Sequence, residues 1–132
     1  MTLVYRNMIY NNKECKVLFY KDKKGKSSVL EYIYKLPEKE RSKIQKYIEF
    51  LKTNKGILDE PYSKHIKGKI RELRVDFGKN RHRIFYFTFV EKNIVFLYAF
   101  LKTTAKTPVQ EIKKAEESYY NIINNPKAYE QE

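Results

Sequence analysis

The fold turns on one run of sequence: Ile70-Arg-Glu-Leu-Arg-Val-Asp-Phe77, Gly78-Lys-Asn80, Arg81-His-Arg-Ile-Phe-Tyr-Phe-Thr-Phe-Val90, Glu91-Lys-Asn93 and Ile94-Val-Phe-Leu-Tyr-Ala-Phe-Leu101. In its first segment the polarity has a period of two. Arg71, Leu73 and Val75 point one way; Ile70, Glu72 and Arg74 point the other. Arg83–Val90 is β-branched and aromatic on both faces, as a central strand must be, and Ile94–Leu101 is apolar on both faces too. Gly78-Lys-Asn80 and Glu91-Lys-Asn93 are turn signals, so the run predicts an antiparallel three-strand meander.

Upstream, Lys16–Tyr20 reads as a short strand ended by Asp22-Lys-Lys-Gly25. Ser27 or Ser28 caps a helix with Glu31 as the reciprocal partner, and Val29, Ile33 and Leu36 recur at helical spacing until Pro37 stops it. A second helix runs from Glu38 to about Lys55 on the stripe Ile44, Tyr47, Ile48 and Leu51, with Gly56 placed as its C-terminal glycine. Ile57–Lys69 reads as a loop. Downstream, Thr107-Pro108 opens a last helix bearing Ile112, Ala115, Tyr119 and Ile122 on one side, ended by Asn124-Asn125-Pro126. The prediction is an α+β domain. An N-terminal strand and a helical hairpin are followed by the meander and a C-terminal helix, with the helices on one face of the sheet. The other face then stays half open and lined by Arg and aromatic rings, a surface suited to RNA, where guanidinium holds phosphate and rings stack on bases.

The length of 132 residues suits one domain, residues 1–132, with residues 1–14 an unassigned lead and residues 125–132 a frayed tail. The longest uncharged stretches, Ile84–Val90 and Asn93–Leu101, fall well short of the ~20 residues a membrane helix needs. No secretory h-region opens the chain, and its single cysteine, Cys15, cannot form an internal disulfide, so a cytoplasmic protein with no membrane partner is expected.

The net charge is +12. Lysines are scattered, in a chain whose Lys, Asn, Ile and Tyr content codon bias alone can produce. The arginines are not scattered: four of six (Arg71, Arg74, Arg81, Arg83) fall within thirteen residues. Composition bias does not explain that clustering, and Arg is the side chain suited to bidentate phosphate contact. A polyanionic partner follows, nucleic acid first. Metal chemistry is not expected, since one Cys and two His (His65, His82) have no ligand spacing, and no phosphate loop or nucleophile elbow appears. No cofactor is implied.

Four blocks at these spacings carry a resemblance: Ile70-Arg-Glu-Leu-Arg74; Arg81-His-Arg-Ile-Phe-Tyr86; Val95-Phe-Leu-Tyr-Ala-Phe-Leu-Lys102; and Lys106-Thr-Pro108 with Glu111, Ile112 and Ala115. Over about residues 15–120 the chain resembles the HigB-like (phage-derived Gp49-like) branch of the RelE/ParE toxin superfamily. Each block alone is weak; jointly they are specific. Thr103 stands where that branch often has a second basic residue, and Ala105 where Gln is common. The resemblance implies the toxin of a type II toxin–antitoxin pair. Such a toxin is a ribosome-dependent mRNA endoribonuclease (an mRNA interferase) and inhibits translation. It is neutralised by a cognate antitoxin, HigA-like with a helix-turn-helix fold, and operator DNA is engaged only through that antitoxin. The implied partners are therefore antitoxin, ribosome and mRNA. The alternatives are a non-catalytic ParE-like toxin that binds DNA gyrase, and a plain basic RNA-binding domain.

Metal-independent RNA cleavage uses the 2′-hydroxyl as nucleophile. It needs a base, an acid for the leaving 5′-oxygen, and cations for charge building on the phosphate. Arg83, the superfamily's arginine in Arg-x-x-Tyr, is the expected phosphate clamp, against the plainer reading of an ion pair to Glu72 or Asp76. Arg74 contacts phosphate or serves the fold. Lys102 matches a basic site residue of the family. Glu72 stands where RelE has a lysine, and a carboxylate among arginines is held ionised and is a weak base. Glu60, in Glu-Pro-Tyr-Ser-Lys-His, resembles the Glu-Pro segment of YoeB-like toxins, where glutamate is the base. His65 and His82 are candidates by residue type, and Tyr98 occupies the position of a family histidine. Arg81, Arg71, Lys64, Lys67, Lys69, Lys79 and Lys106 are expected to contact RNA.

Overall fold

The computed structural model describes residues 15–89 and 92–130. Strand β1 (Lys16–Phe19) leads to helices α1 (Ser28–Tyr34) and α2 (Glu38–Thr53). Strands β2 (Ser63–Lys67), β3 (Ile70–Phe77), β4 (Asn80–Phe89) and β5 (Asn93–Leu101) follow, then α3 (Val109–Asn124) and a 3-10 turn (Pro126–Tyr129). The five strands make one mixed sheet in the order β1-β5-β4-β3-β2, antiparallel except that β1 runs parallel to β5. The fold is α+β, as expected, and β3–β5 form the predicted meander. The lead segment 1–14 lies outside the described residues.

Local chemistry accounts for the helices. Ser27 accepts a bond from the Leu30 backbone N–H at 3.2 Å and caps α1. At the C-terminal end of α2, Lys55, left-handed at φ +56, donates to the Lys52 carbonyl at 3.2 Å and Gly56 to the Leu51 carbonyl at 2.8 Å, so a lysine takes the closing position and the expected glycine follows it. Gly56 has φ +86, and a Cβ there would stand 2.4 Å from Thr88 Oγ1. Only glycine lets the end of α2 seat against β4.

Three expectations are corrected. The helices do not share one face. Val29, Ile33, Ile44, Ile48 and Leu51 of α1 and α2 pack with Leu73, Val75, Ile84, Tyr86 and Phe96 on one side. On the other side Ala115 and Ile122 of α3 pack over Phe85, Phe87, Val95 and Leu97. The physical reason is the two-sided apolar character of β4 and β5, which demands cover on both faces. The aromatic rings foreseen on the open face are therefore covered: Phe85 and Phe87 are fully buried. Second, the loop Ile57–Lys69 contains β2, a charged edge strand whose Ser-Lys-His-Ile-Lys lacks the apolar alternation that betrays a strand. Third, the tail is not frayed through Tyr129. The Tyr129 hydroxyl accepts from the Lys21 N–H at 3.1 Å, and Asn93 Nδ2 donates to the Tyr129 carbonyl at 2.8 Å.

The register shifts between Phe85 and Tyr86. Tyr86 pairs with Phe96, whereas Phe85 pairs with Tyr98, so Leu97 is the extra residue of a bulge. The bulge puts Leu97, Tyr98 and Phe100 on the α3 side of β5, with Arg83 and Phe85 of β4.

Candidate functional site

Alternation along β3 and β4 sends Glu72, Arg74 and Asp76, together with Arg81, Arg83 and Phe85, to the α3 side of the sheet. Arg74 stands opposite Arg83, and Asp76 opposite Arg81. Lys102 joins them from the end of β5, its backbone N–H bonded to the Arg81 carbonyl at 2.8 Å. α3 covers the far part of this face and leaves this end open. Four cations drawn from three strands thus gather around two carboxylates, and the cluster is net positive.

Arg83 is 2% exposed. Its Nη1 donates to Asp76 Oδ1 at 2.6 Å and to the His82 carbonyl at 2.9 Å. Arg74 Nε lies 3.7 Å from Glu72 Oε1, beyond hydrogen-bond reach. The Nε atoms of Arg74 and Arg83 are buried without a hydrogen-bond partner. Glu72, 1% exposed, accepts from Thr107 Oγ1 at 3.1 Å. Burial pushes the Lys102 ammonium below the usual lysine range; Glu72 pulls it up, and Arg83, Arg74 and Arg81 push it further down. Arg81 and Arg74 are half-buried, whereas Lys102 is buried at 9% exposed, so Arg74 and Arg81 are the cations a ligand meets first, with Lys102 behind them.

The other sequence candidates fall in different places. Lys64 is exposed and pairs in register with Glu72, on the rim of the cluster. Tyr98 lies on the same face beside α3, its hydroxyl accepting from Lys114 Nζ at 3.2 Å and 3.5 Å from Glu111 Oε1. Lys79 and Lys106 are exposed in the loops before β4 and α3. Lys67 is engaged with Glu116 of α3 at 3.0 Å. Glu60 is exposed in the turn before β2, preceding a cis Pro61.

His82 points the opposite way, into the α1/α2 side. Its Nε2 lies 2.6 Å from Glu40 Oε2 and its Nδ1 2.7 Å from the Tyr32 hydroxyl, with Asn80 completing the network on Glu40. His65, Arg71 and Lys69 also leave the cluster. His65 Nε2 donates to the Gly68 carbonyl at 2.7 Å, and Arg71 is held by Ser63 Oγ and the Tyr86 hydroxyl. Sequence reasoning missed Thr107 and assigned Asp76 only as a possible ion-pair partner. The Lys106-Thr-Pro108 block contained the signal for Thr107, since a hydroxyl just ahead of a helix start is a natural partner for a buried carboxylate.

Among the described residues no group of His, Cys, Asp and Glu is placed to hold a metal ion, and no helix is long and apolar enough to cross a membrane. The chemistry on offer is cationic: charge neutralisation at one open sheet end, with one lysine whose proton is loosened. No curated protein matches the chain. Residues 31–120 match the family described as "Phage derived protein Gp49-like (DUF891)", which is associated with RelE-like toxins. With more than half of its length matched, the chain belongs to the phage-derived Gp49-like family.

Proposed function

We propose that this protein is the toxin of a type II toxin–antitoxin pair of the HigB-like kind. It acts as a ribosome-dependent mRNA endoribonuclease, held silent by a cognate HigA-like antitoxin. The observation that carries the reading is the convergence of Arg74, Arg81, Arg83 and Lys102 from three strands on one open sheet end. Arg74 and Arg81 hold the scissile phosphate. Arg83, neutralised by Asp76, fixes the cluster from beneath. Lys102 gives its proton to the leaving 5′-oxygen as the 2′-oxygen attacks phosphorus, a role favoured by its lowered proton affinity. Glu72 is buried and taken by Thr107, so it positions Lys102 and Thr107 rather than acting as base. The 2′-hydroxyl's orientation and its proton acceptor come from the ribosome, which makes naked RNA a poor substrate.

The test is cleavage in purified translating ribosomes with mapping of transcript ends. The expected products carry 2′,3′-cyclic phosphates, and Arg81→Ala removes them. Equal cleavage of naked RNA contradicts the proposal. One observation favours the ParE-like alternative: Arg83 is partnered by Asp76, as a purely structural arginine would be. Gyrase-dependent DNA breaks with intact mRNA would identify that activity instead.

A further inference from the structure

On the α1/α2 side of the sheet, about three residues (~10 Å) along the strands from Arg83, lies a shallow hollow of 420 Å³. Lys55, Ile57, His65, Gly68, Lys69, Arg71 and Thr88 line it. Among the described lining residues three are cationic, Lys55, Lys69 and Arg71, and none is a carboxylate. We propose that this hollow is a second anion-binding site, which takes phosphate groups of folded RNA on the face opposite the cleavage cluster. The proposal extends the RNA reading of the protein but uses none of the cluster residues.

Two independent observations support it. The first is preorganisation. Arg71 Nε donates to Ser63 Oγ at 3.2 Å and to the Tyr86 hydroxyl at 3.3 Å, and Nη2 donates to Ser63 Oγ at 3.1 Å. The Tyr86 hydroxyl in turn donates to the Gly56 carbonyl at 2.8 Å. A long, flexible side chain is thereby held at the hollow, and its fork loses little freedom on meeting a phosphate. The second is backbone strain. Lys55 has φ +56, the single non-glycine in the left-handed region among the described residues. That is the helix-closing position where glycine is ordinarily favoured, and a lysine there costs stability. The strained residue places a cation at the hollow's wall.

A protein that grips phosphate on two opposite faces can hold two RNA segments at once, a transcript at the cluster and a structured RNA behind it. The test measures binding of a fluorescein-labelled RNA hairpin as salt is raised, for the wild type and for Lys55→Gly/Lys69→Ala. Neither substitution removes a buried side chain, and the glycine relieves the strain, so the variant's Tm should not fall below the wild type's. The expected result is weaker binding with a log K against log salt slope shallower by about 1.5, two phosphate contacts' worth. The same decrement should appear in an Arg81→Ala background, whether or not that background has lost cleavage. A parallel NMR titration uses inorganic phosphate alone, read at the amides of His65, Gly68 and Lys69. If those amides respond to millimolar phosphate while the hairpin's salt slope is unchanged, the hollow takes free anions and the RNA assignment is overturned. If neither responds, the site itself is refuted.

Discussion

Arg74 and Arg83 stand directly opposite one another on β3 and β4. Like charges at such a cross-strand position destabilise a sheet. The pair persists because Glu72 and Asp76 flank Arg74 along β3, Asp76 bonded to Arg83 and Glu72 close to Arg74. The arrangement keeps guanidinium groups together where an apolar pair would fold more easily. Such tension is expected where a surface must receive an anion.

The two arginines of β4 should behave differently. Arg83→Ala removes a side chain that is 2% exposed and leaves a void beside the packed pair Phe85 and Phe100, whose rings lie 5.3 Å apart. A loss of about 2–4 kcal/mol is expected in denaturant unfolding. Arg81 is half-buried at the strand's start, so Arg81→Ala should change stability by only ~0.5 kcal/mol. Both should lose transcript cleavage, but only the Arg81 result separates chemistry from folding. Full cleavage by Arg81→Ala would remove that residue from the site.

Gly56→Ala tests the seat of α2 on β4. The left-handed backbone and the 2.4 Å approach to Thr88 Oγ1 act together, and the Gly56 carbonyl also receives the Tyr86 hydroxyl. A destabilisation of about 2–3 kcal/mol is expected. Gly78→Ala, at φ +57 with open space around it, should cost about 1 kcal/mol. Equal effects at the two positions in urea titrations would mean the Thr88 contact relaxes freely.

The meander was legible because β3 alternates and β4 and β5 do not, and the helices because Ser27, Pro37 and Gly56 punctuate apolar stripes. The same feature of β4 and β5 held the clue to the second layer. Phe85, Phe87, Val95 and Leu97 cannot face water, so the stripe Ala115 and Ile122 had to land on them. The edge strand β2 was hidden because its residues make few apolar contacts, and its pairing with β3 is a property of the assembled sheet. At the site, sequence proximity grouped Arg71, Arg74, Arg81 and Arg83, and period two separated Arg71 from the others. What proximity could not show was His82, one residue from Arg83 yet pointing to the opposite layer.

That layer supplies a prediction of its own. Tyr32 is pushed up to about 12, chiefly by burial and also by the Glu40 charge. Its hydroxyl meets His82, which meets Glu40. Because the folded value lies above the ordinary tyrosine value of ~10, the unfolded chain releases this proton first. Tyr32 therefore contributes stability that is intact below pH ~10 and lost as pH rises toward 12. Ultraviolet titration of the wild type minus Tyr32→Phe should show one tyrosinate appearing near pH 12. Glu40→Gln should lower stability at neutral pH by about 1–3 kcal/mol through the buried histidine it leaves poorly partnered. Neither change should alter where transcripts are cut.

Lys102 gives the sharpest test of the proposed chemistry. Its folded proton affinity is lowered, first by burial and then by three arginines, against the pull of Glu72. A lysine so shifted binds its proton less firmly folded than unfolded. The penalty is fully present at neutral pH and is relieved as pH climbs from its depressed value toward 10.5. Lys102→Met, which keeps the stem and removes the charge, should raise Tm at pH 7 and abolish that alkaline gain. Lys102→Arg keeps the charge but cannot yield a proton. If Lys102 is the proton donor, KM for programmed ribosomes should stay within about twofold while kcat falls at least ~100-fold. The wild-type rate should also decline at alkaline pH as the ammonium is lost. An Arg variant with wild-type kcat would assign Lys102 to phosphate binding alone and leave proton delivery to the ribosome.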